Sequence, residues 1–193
     1  MFKWVDSPDW TRDLIIYEIA TKSFTSPDGP ESGTFSSLKE KIPYLSELGI
    51  TGIWLTGHSL SHPSHFYNIW TQYACIEPDK LDPTLGDEAS FQAMIDEAHR
   101  FGIKVFLDVI THGVMHGSPL IEQHPHWFKG GTWGMVDYDW QGGHEDLDEW
   151  WVSLWVRYVT KFGIDGFGWT WRIIDPICGP KSGKEPRMRA DRL

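Results

Sequence analysis

At 193 residues, 40% apolar and 23% charged, the chain has the composition of a soluble globular domain large enough for a sizeable core. A net charge of −10 excludes the basic face that nucleic-acid phosphates demand. No run approaches the roughly 18 apolar residues of a membrane span, and the start MFKWVDSPDW lacks the apolar core and cleavage site of a secretory signal. Cys75 and Cys178 are too few for a disulfide framework, so free thiols in a reducing compartment, the cytoplasm, are the expectation.

In chain order, residues 14–19 read as a first strand and 34–48 as a helix, with Pro43 expected to kink it. A pattern then occurs three times, in YLSELGITGIWLT, EAHRFGIKVFLDV and YVTKFGIDGFG. Each is an amphipathic helix, a glycine (Gly49, Gly102, Gly163), an isoleucine and a short apolar run. Glycine just past a helix supplies the left-handed residue that ends it. Short continuous apolar strands such as 103–109 are what a parallel sheet buried on both faces requires. Asp87 is placed to cap the helix that runs to Phe101, and a last helix spans about 146–162 with Trp150, Trp151, Trp155 and Tyr158. Strands alternating with helices imply βαβ units, and four strands with three intervening helices are half of a (β/α)8 barrel, which needs roughly 250 residues when closed.

The stretches after the second and third strands, 57–86 and 112–145, are long for connections in a compact domain. In a (β/α)8 barrel they sit on the C-terminal face, where active sites are built. They carry His58, His62, His65, His112, His116, His124, His126 and His144 beside several aromatic residues. The 12 tryptophans of the chain serve equally in cores and as flat faces for sugar rings. His112 and His116 have the spacing of helical zinc ligands, but Gly113, Gly117 and Pro119 argue against a helix, so no metal site is expected.

With these motifs in order, residues 13–167 resemble the α-amylase family, glycoside hydrolase family 13. The opening strand followed by Phe24, the run LSELGITGIWLT followed by SHFYNI, the run DEAHRFGIKVFLDV and the run FGIDGF each resemble a family segment. The resemblance implies an α/β fold, the N-terminal half (about β1–β4) of a truncated TIM (β/α)8 barrel, with retaining cleavage or transfer of α-glucosidic bonds and an α-glucan or oligosaccharide substrate. Tyr67 stands where the family stacks an aromatic ring beneath a sugar. Asn68 replaces its usual Asp, keeping a hydrogen bond and losing a charge. Asp108 matches the Asp that ends the third strand and bonds the family's Arg, and an unpaired buried carboxylate at that place would be costly. His112 corresponds to the sugar-binding His, four residues after Asp108 where the family has five. Thr111 replaces an Asn that helps form a calcium site, so no cofactor is expected, calcium being the one the family raises.

Retaining glycosidases need two carboxyl groups about 5–5.5 Å apart. The family's nucleophile is the Asp of Gly-Phe-Arg-x-Asp, and here the chain reads Gly166-Phe167-Gly168-Trp169-Thr170. Gly168 stands at the Arg and Thr170 at the nucleophile. An unactivated hydroxyl lacks both the nucleophilicity and the charge the step requires. The family's acid and its second Asp belong to later strands, so no catalytic residue is intact and an inactive fragment is expected.

The genetic code points to a cause. Trp169-Thr170-Trp171 is encoded TGG-ACN-TGG, and reading from the last base of codon 168 gives NTG-GAC-NTG, whose middle codon is Asp whatever N is. One base restored before the GG of Gly168 can make CGG or AGG, both Arg, and the frame then reads Gly-Phe-Arg-x-Asp-x with Leu, Val or Met at each x. The division expected is a partial barrel over 1–167 and an out-of-frame or disordered tail over 168–193, whose GPKSGKEPRMRADRL has no apolar periodicity. Two alternatives remain open: a noncatalytic carbohydrate-binding homologue, or an unrelated barrel enzyme using a pair among Asp137, Asp139, Glu145, Asp146 and Asp148. Open strand edges of half a barrel predict self-association.

Overall fold

In a computed structural model of the protein, residues 6–61, 73–131 and 134–169 are described. After a 3-10 turn at Asp9–Asp13 come β1 (Ile16–Ala20), a short α1 (Thr21–Phe24) and α2 (Phe35–Glu47). Then follow β2 (Gly52–Thr56), β3 (Ser59–Ser61), β4 (Cys75–Leu81) and α3 (Glu88–Arg100). The third unit holds β5 (Lys104–Val109), β6 (Gly113–Met115), a short α4 (Pro119–Gln123) and β7 (Met135–Asp137). The chain continues through α5 (Glu145–Phe162) into β8 (Gly166–Trp169).

The helices start and stop where their sequence says they should. The backbone N–H of Ser37 donates to Thr34 Oγ1 at 3.1 Å while Thr34 N–H donates to Ser37 Oγ at 2.8 Å, a capping box that opens α2. Asp87 and Ser90 close the same reciprocal pair at the start of α3, at 2.8 and 2.9 Å. Gly49, Gly102 and Gly163 all take positive φ, 81°, 71° and 73°, which turns the chain out of each helix into the next strand.

α2 runs from Phe35 to Glu47 as one helix with Pro43 inside it, and the fully buried Ile42 and Leu45 lie on either side of the proline. The supposed loops also carry structure of their own. β3 and β4 pair antiparallel with register shifts around Leu60, and β6 and β7 pair antiparallel from Gly113↔Asp137 to Met115↔Met135.

β1, β2, β5 and β8 form one sheet in that order, every pair parallel. Period-2 alternation gives it two faces. Ile19, Ile53, Leu55, Val105, Leu107 and Val109 point toward the helices, each at most 4% exposed. They pack with Leu38, Ile42, Phe91, Met94, Leu154 and Tyr158 in one apolar cluster. β8 keeps its pairing with β5 through Asp108↔Gly168 and Val109↔Trp169, two residues beyond Phe167. Among the described residues no helix is long and apolar enough to cross a membrane.

Candidate functional site

Parallel register puts the C-terminal ends of the sheet strands on one rim. Ala20 pairs Thr56, Leu55 pairs Leu107 and Asp108 pairs Gly168, so Ala20, Thr56, Asp108 and Gly168 form a single row across the face turned away from the helices. Asp108 closes the apolar run of β5 and is only 3% exposed. A carboxylate so buried must be matched by hydrogen bonds or charge, which makes it a positioned group rather than a solvated one.

The same inner face is built from glycines and rings. Cβ atoms added at Gly52 and Gly166 would lie 3.1 and 2.9 Å from the Phe106 ring. One added at Gly168 would overlap Trp54 at Cε2 and Cζ2 and sit 2.7 Å from its Cδ2. The indole Nε1 of Trp54 is buried without a hydrogen-bond partner. No signal in the run GIWLT marks Trp54, apart from its falling in step with Thr56 on the inner face.

His112 lies just beyond β5, where it leads into the β6–β7 hairpin. Its Nε2 is 2.9 Å from Met135 Sδ, and its carbonyl accepts from the backbone N–H of Tyr138 at 2.8 Å. Burial pulls its pKa below the ordinary histidine value, opposed by the charge of Asp137, so the ring is neutral at neutral pH. Thr111 is 3% exposed and its carbonyl accepts from Trp140 Nε1–H at 2.7 Å. His112 and His116 flank the strand β6, so their spacing gives no shared helical face. Tyr67, Asn68 and Thr170 lie outside the described residues.

Behind the rim two further groups hold the long connections. Lys22 Nζ reaches Asp82 Oδ2 at 2.7 Å with side chains 21% and 5% exposed, tying α1 to the end of the β3–β4 hairpin. Asp82 Oδ1 also accepts from the N–H and hydroxyl of Thr84, an Asx turn legible in Asp82-Pro83-Thr84. His58 is buried edge-on against Tyr158, and burial lowers its pKa to about 4.

Two of the acidic residues around the start of α5, Asp139 and Asp146, have side-chain partners. Asp146 accepts from Trp127 Nε1 at 2.7 Å and contacts His126 Nε2 at 2.8 Å, and those bonds hold its carboxyl below the usual range. Asp139 faces His144 at 3.6 Å. Glu145, Asp146 and Asp148 sit in the first turn of the helix, where the dipole favours negative charge.

A buried Asp on the third parallel strand, a row of strand ends at one rim and long structured connections above it are the elements of a (β/α)8 active-site face. Residues 18–129 match the sequence profile of the alpha amylase catalytic domain. The chain belongs to the alpha-amylase family. It is 32% identical over 210 residues to a maltogenic alpha-amylase of Bacillus acidopullulyticus, covering 86% of this chain and 34% of that protein. It is 29% identical over 174 residues to a trehalose synthase of Pimelobacter, covering 86% of this chain and 26% of the relative. Neopullulanase 2 of Thermoactinomyces vulgaris is 32% identical over 124 residues, 54% of this chain and 20% of its own length.

Solved structures agree on the fold. An alpha-amylase from Lactobacillus plantarum superposes with a TM-score of 0.70 at 26% identity, covering 83% of this chain and 38% of that one. A noncanonic maltogenic alpha-amylase from Thermotoga neapolitana gives 0.72 at 24% identity, covering 86% and 40%. The chain therefore spans 20–34% of the curated relatives named and about two fifths of the solved chains. The four-stranded parallel sheet with its helices is part of an alpha-amylase (β/α)8 barrel.

Proposed function

We propose that this chain carries one wall of an α-glucan site from a retaining α-amylase-type enzyme and that, as it stands, it does not cleave glycosidic bonds. The observation that carries this is the row at the rim: Asp108 is buried at the family's position, yet its neighbour in register is Gly168 where the family has arginine, and Thr170 follows at the nucleophile. A retaining mechanism needs a carboxylate to attack the anomeric carbon and a second to protonate the leaving oxygen. Threonine at the first of these positions cannot form and stabilise the glycosyl intermediate. Tyr67, Asn68, Asp108 and His112 are the proposed substrate contacts, the ring stacking on a sugar face and the polar groups bonding its hydroxyls.

The cause proposed is a single-base slip at codon 168, with the Asp codon forced in the neighbouring frame as its support. The domain then divides into a partial barrel and a tail translated out of frame. The chemistry needs no cofactor. The family's calcium is left out of the proposal, since Thr111 replaces the Asn that helps form that site. Cys75, a buried free thiol, suits a reducing compartment such as the cytoplasm.

A second reading, a noncatalytic carbohydrate-binding homologue, is favoured by one observation: a glycine at 168 fits closely against Trp54. Titration calorimetry with maltooligosaccharides and a hydrolysis assay, on this chain and on the product of the gene with one base restored, separate the two. The first reading expects hydrolysis only after restoration. Sugar binding by the chain as it stands, with no hydrolysis after restoration, would establish the second.

A further inference from the structure

On the inner face of the sheet Trp54, Phe106 and Gly166 share one row, and Asp108 and Gly168 form the next row toward the rim. Trp54 starts on β2, yet its ring lies against Gly168 on β8, with β5 between them. The indole therefore crosses β5, passing from the row of Phe106 to the row of Asp108. It fills the space into which any side chain at 168 would project, and through which that side chain would reach Asp108 on the adjoining strand. Contact with Cε2 and Cζ2 is with the rigid ring system, so a Cβ at 168 cannot be accommodated by bending a flexible end. The ring is not tied in place by a hydrogen bond, because its buried Nε1 has no partner. A buried donor left unpaired lowers the cost of leaving that position.

We propose that Trp54 and residue 168 compete for one space on the inner face, so that glycine at 168 lets the indole close the floor beside Asp108 and any larger residue drives it out. Trp54 is thus a positioning residue: it sets whether the space beside Asp108 is filled by the indole or open to a side chain from β8. This takes residue 168 as the family's arginine position, as the proposed function does. The steric competition itself stands on the geometry of the strands, so it fails or holds separately from any return of hydrolysis.

The test uses the full chain labelled with 5-fluorotryptophan, the Trp54 fluorine resonance being assigned by its loss in Trp54→Phe. In Gly168→Ala that resonance is expected to shift and to become accessible to a soluble paramagnetic agent. The thermal midpoint is expected to fall by about 5 °C or more, the range that overpacking produces in a domain of this size. In a Trp54→Ala background the same Gly168→Ala change should lower the midpoint by under about 2 °C, within the scatter of independent sites. An unmoved Trp54 resonance in Gly168→Ala, or an equal drop in both backgrounds, overturns the proposal. Should Gly168→Ala not fold, the comparison of Trp54→Ala with Trp54→Ala/Gly168→Ala decides: equal melting supports the competition, and failure of the double variant alone overturns it. A frame-restored protein that remains inactive would overturn the proposed function and leave this coupling untouched.

Discussion

The two faces of the sheet are built on different rules. Toward the helices, Val105, Leu107 and Val109 interdigitate with side chains from α3 and α5 in a continuous apolar core. Toward the barrel axis, glycines alternate with two aromatic rings and a buried carboxylate, and Ile16 remains 44% exposed. The first face stabilises the fold through area removed from water. The second is shaped so that rings and polar groups can be placed at a rim, and it tolerates incomplete packing to do so. Damage to the helix side should thus appear as lost stability, and damage to the barrel side as lost binding.

Leu107→Ala tests the helix side most severely. The side chain is fully buried, and deleting it should cost about 2–5 kcal/mol in denaturant unfolding. Asp108→Asn, one residue on and facing the barrel, should instead weaken maltooligosaccharide binding by the frame-restored protein about tenfold or more, as losing a charged hydrogen bond does. If Leu107→Ala proved nearly neutral, the contrast between the faces would collapse.

His58 gives the rim its own dependence on pH. Burial holds it neutral in the fold with a pKa lowered to about 4, against an ordinary 6.5. Between those values the unfolded chain binds the extra proton, so stability falls as pH drops from 6.5 and the loss is complete near pH 4. The gap corresponds to about 3 kcal/mol. Unfolding measured at intervals over that window should show the slope in the native chain and a flattened one in His58→Phe. An unchanged slope would place the acid sensitivity elsewhere.

Smaller effects sharpen the comparison. Thr34→Ala removes one half of the capping box of α2 and should cost about 1 kcal/mol with no change in sugar binding. Val156, 52% exposed on α5 beside Val152 and Val159, should change unfolding by less than about 0.5 kcal/mol when replaced by serine. The groove there, about 370 Å³ and lined by Trp151, Trp155 and Phe167, lies beside β8, an edge of the sheet at which self-association is expected. Sedimentation should show Val156→Ser shifted toward monomer, and a native chain already a monodisperse monomer would refute that expectation.

Much of the helix side was legible in the sequence, because its signals are local. Gly-Ile after each long helix, the cap at Asp87 and the run VFLDV each carry their meaning within a few residues. The hairpins were not legible for physical reasons. β4 contains Pro78 and pairs with register shifts, while β6 and β7 are three residues each, too short for periodicity to show. Trp54 was missed because a strand buried on both faces reads as continuously apolar, which hides the side on which each residue falls. Of the site, Asp108 stood out as a charge ending an apolar strand, whereas the contact of His112 with Met135 depends on a hairpin that no local pattern announced.

The proposed loss of the family's arginine and aspartate at codon 168 is open to a direct test. Independent sequencing of the source DNA across codons 166–170 tests it directly. The account predicts one additional base before the GG of codon 168, giving Gly-Phe-Arg-x-Asp in an uninterrupted frame. The same Gly-Phe-Gly-Trp-Thr in an intact second read would contradict it and leave a chain that carries this segment of the barrel without its chemistry by descent.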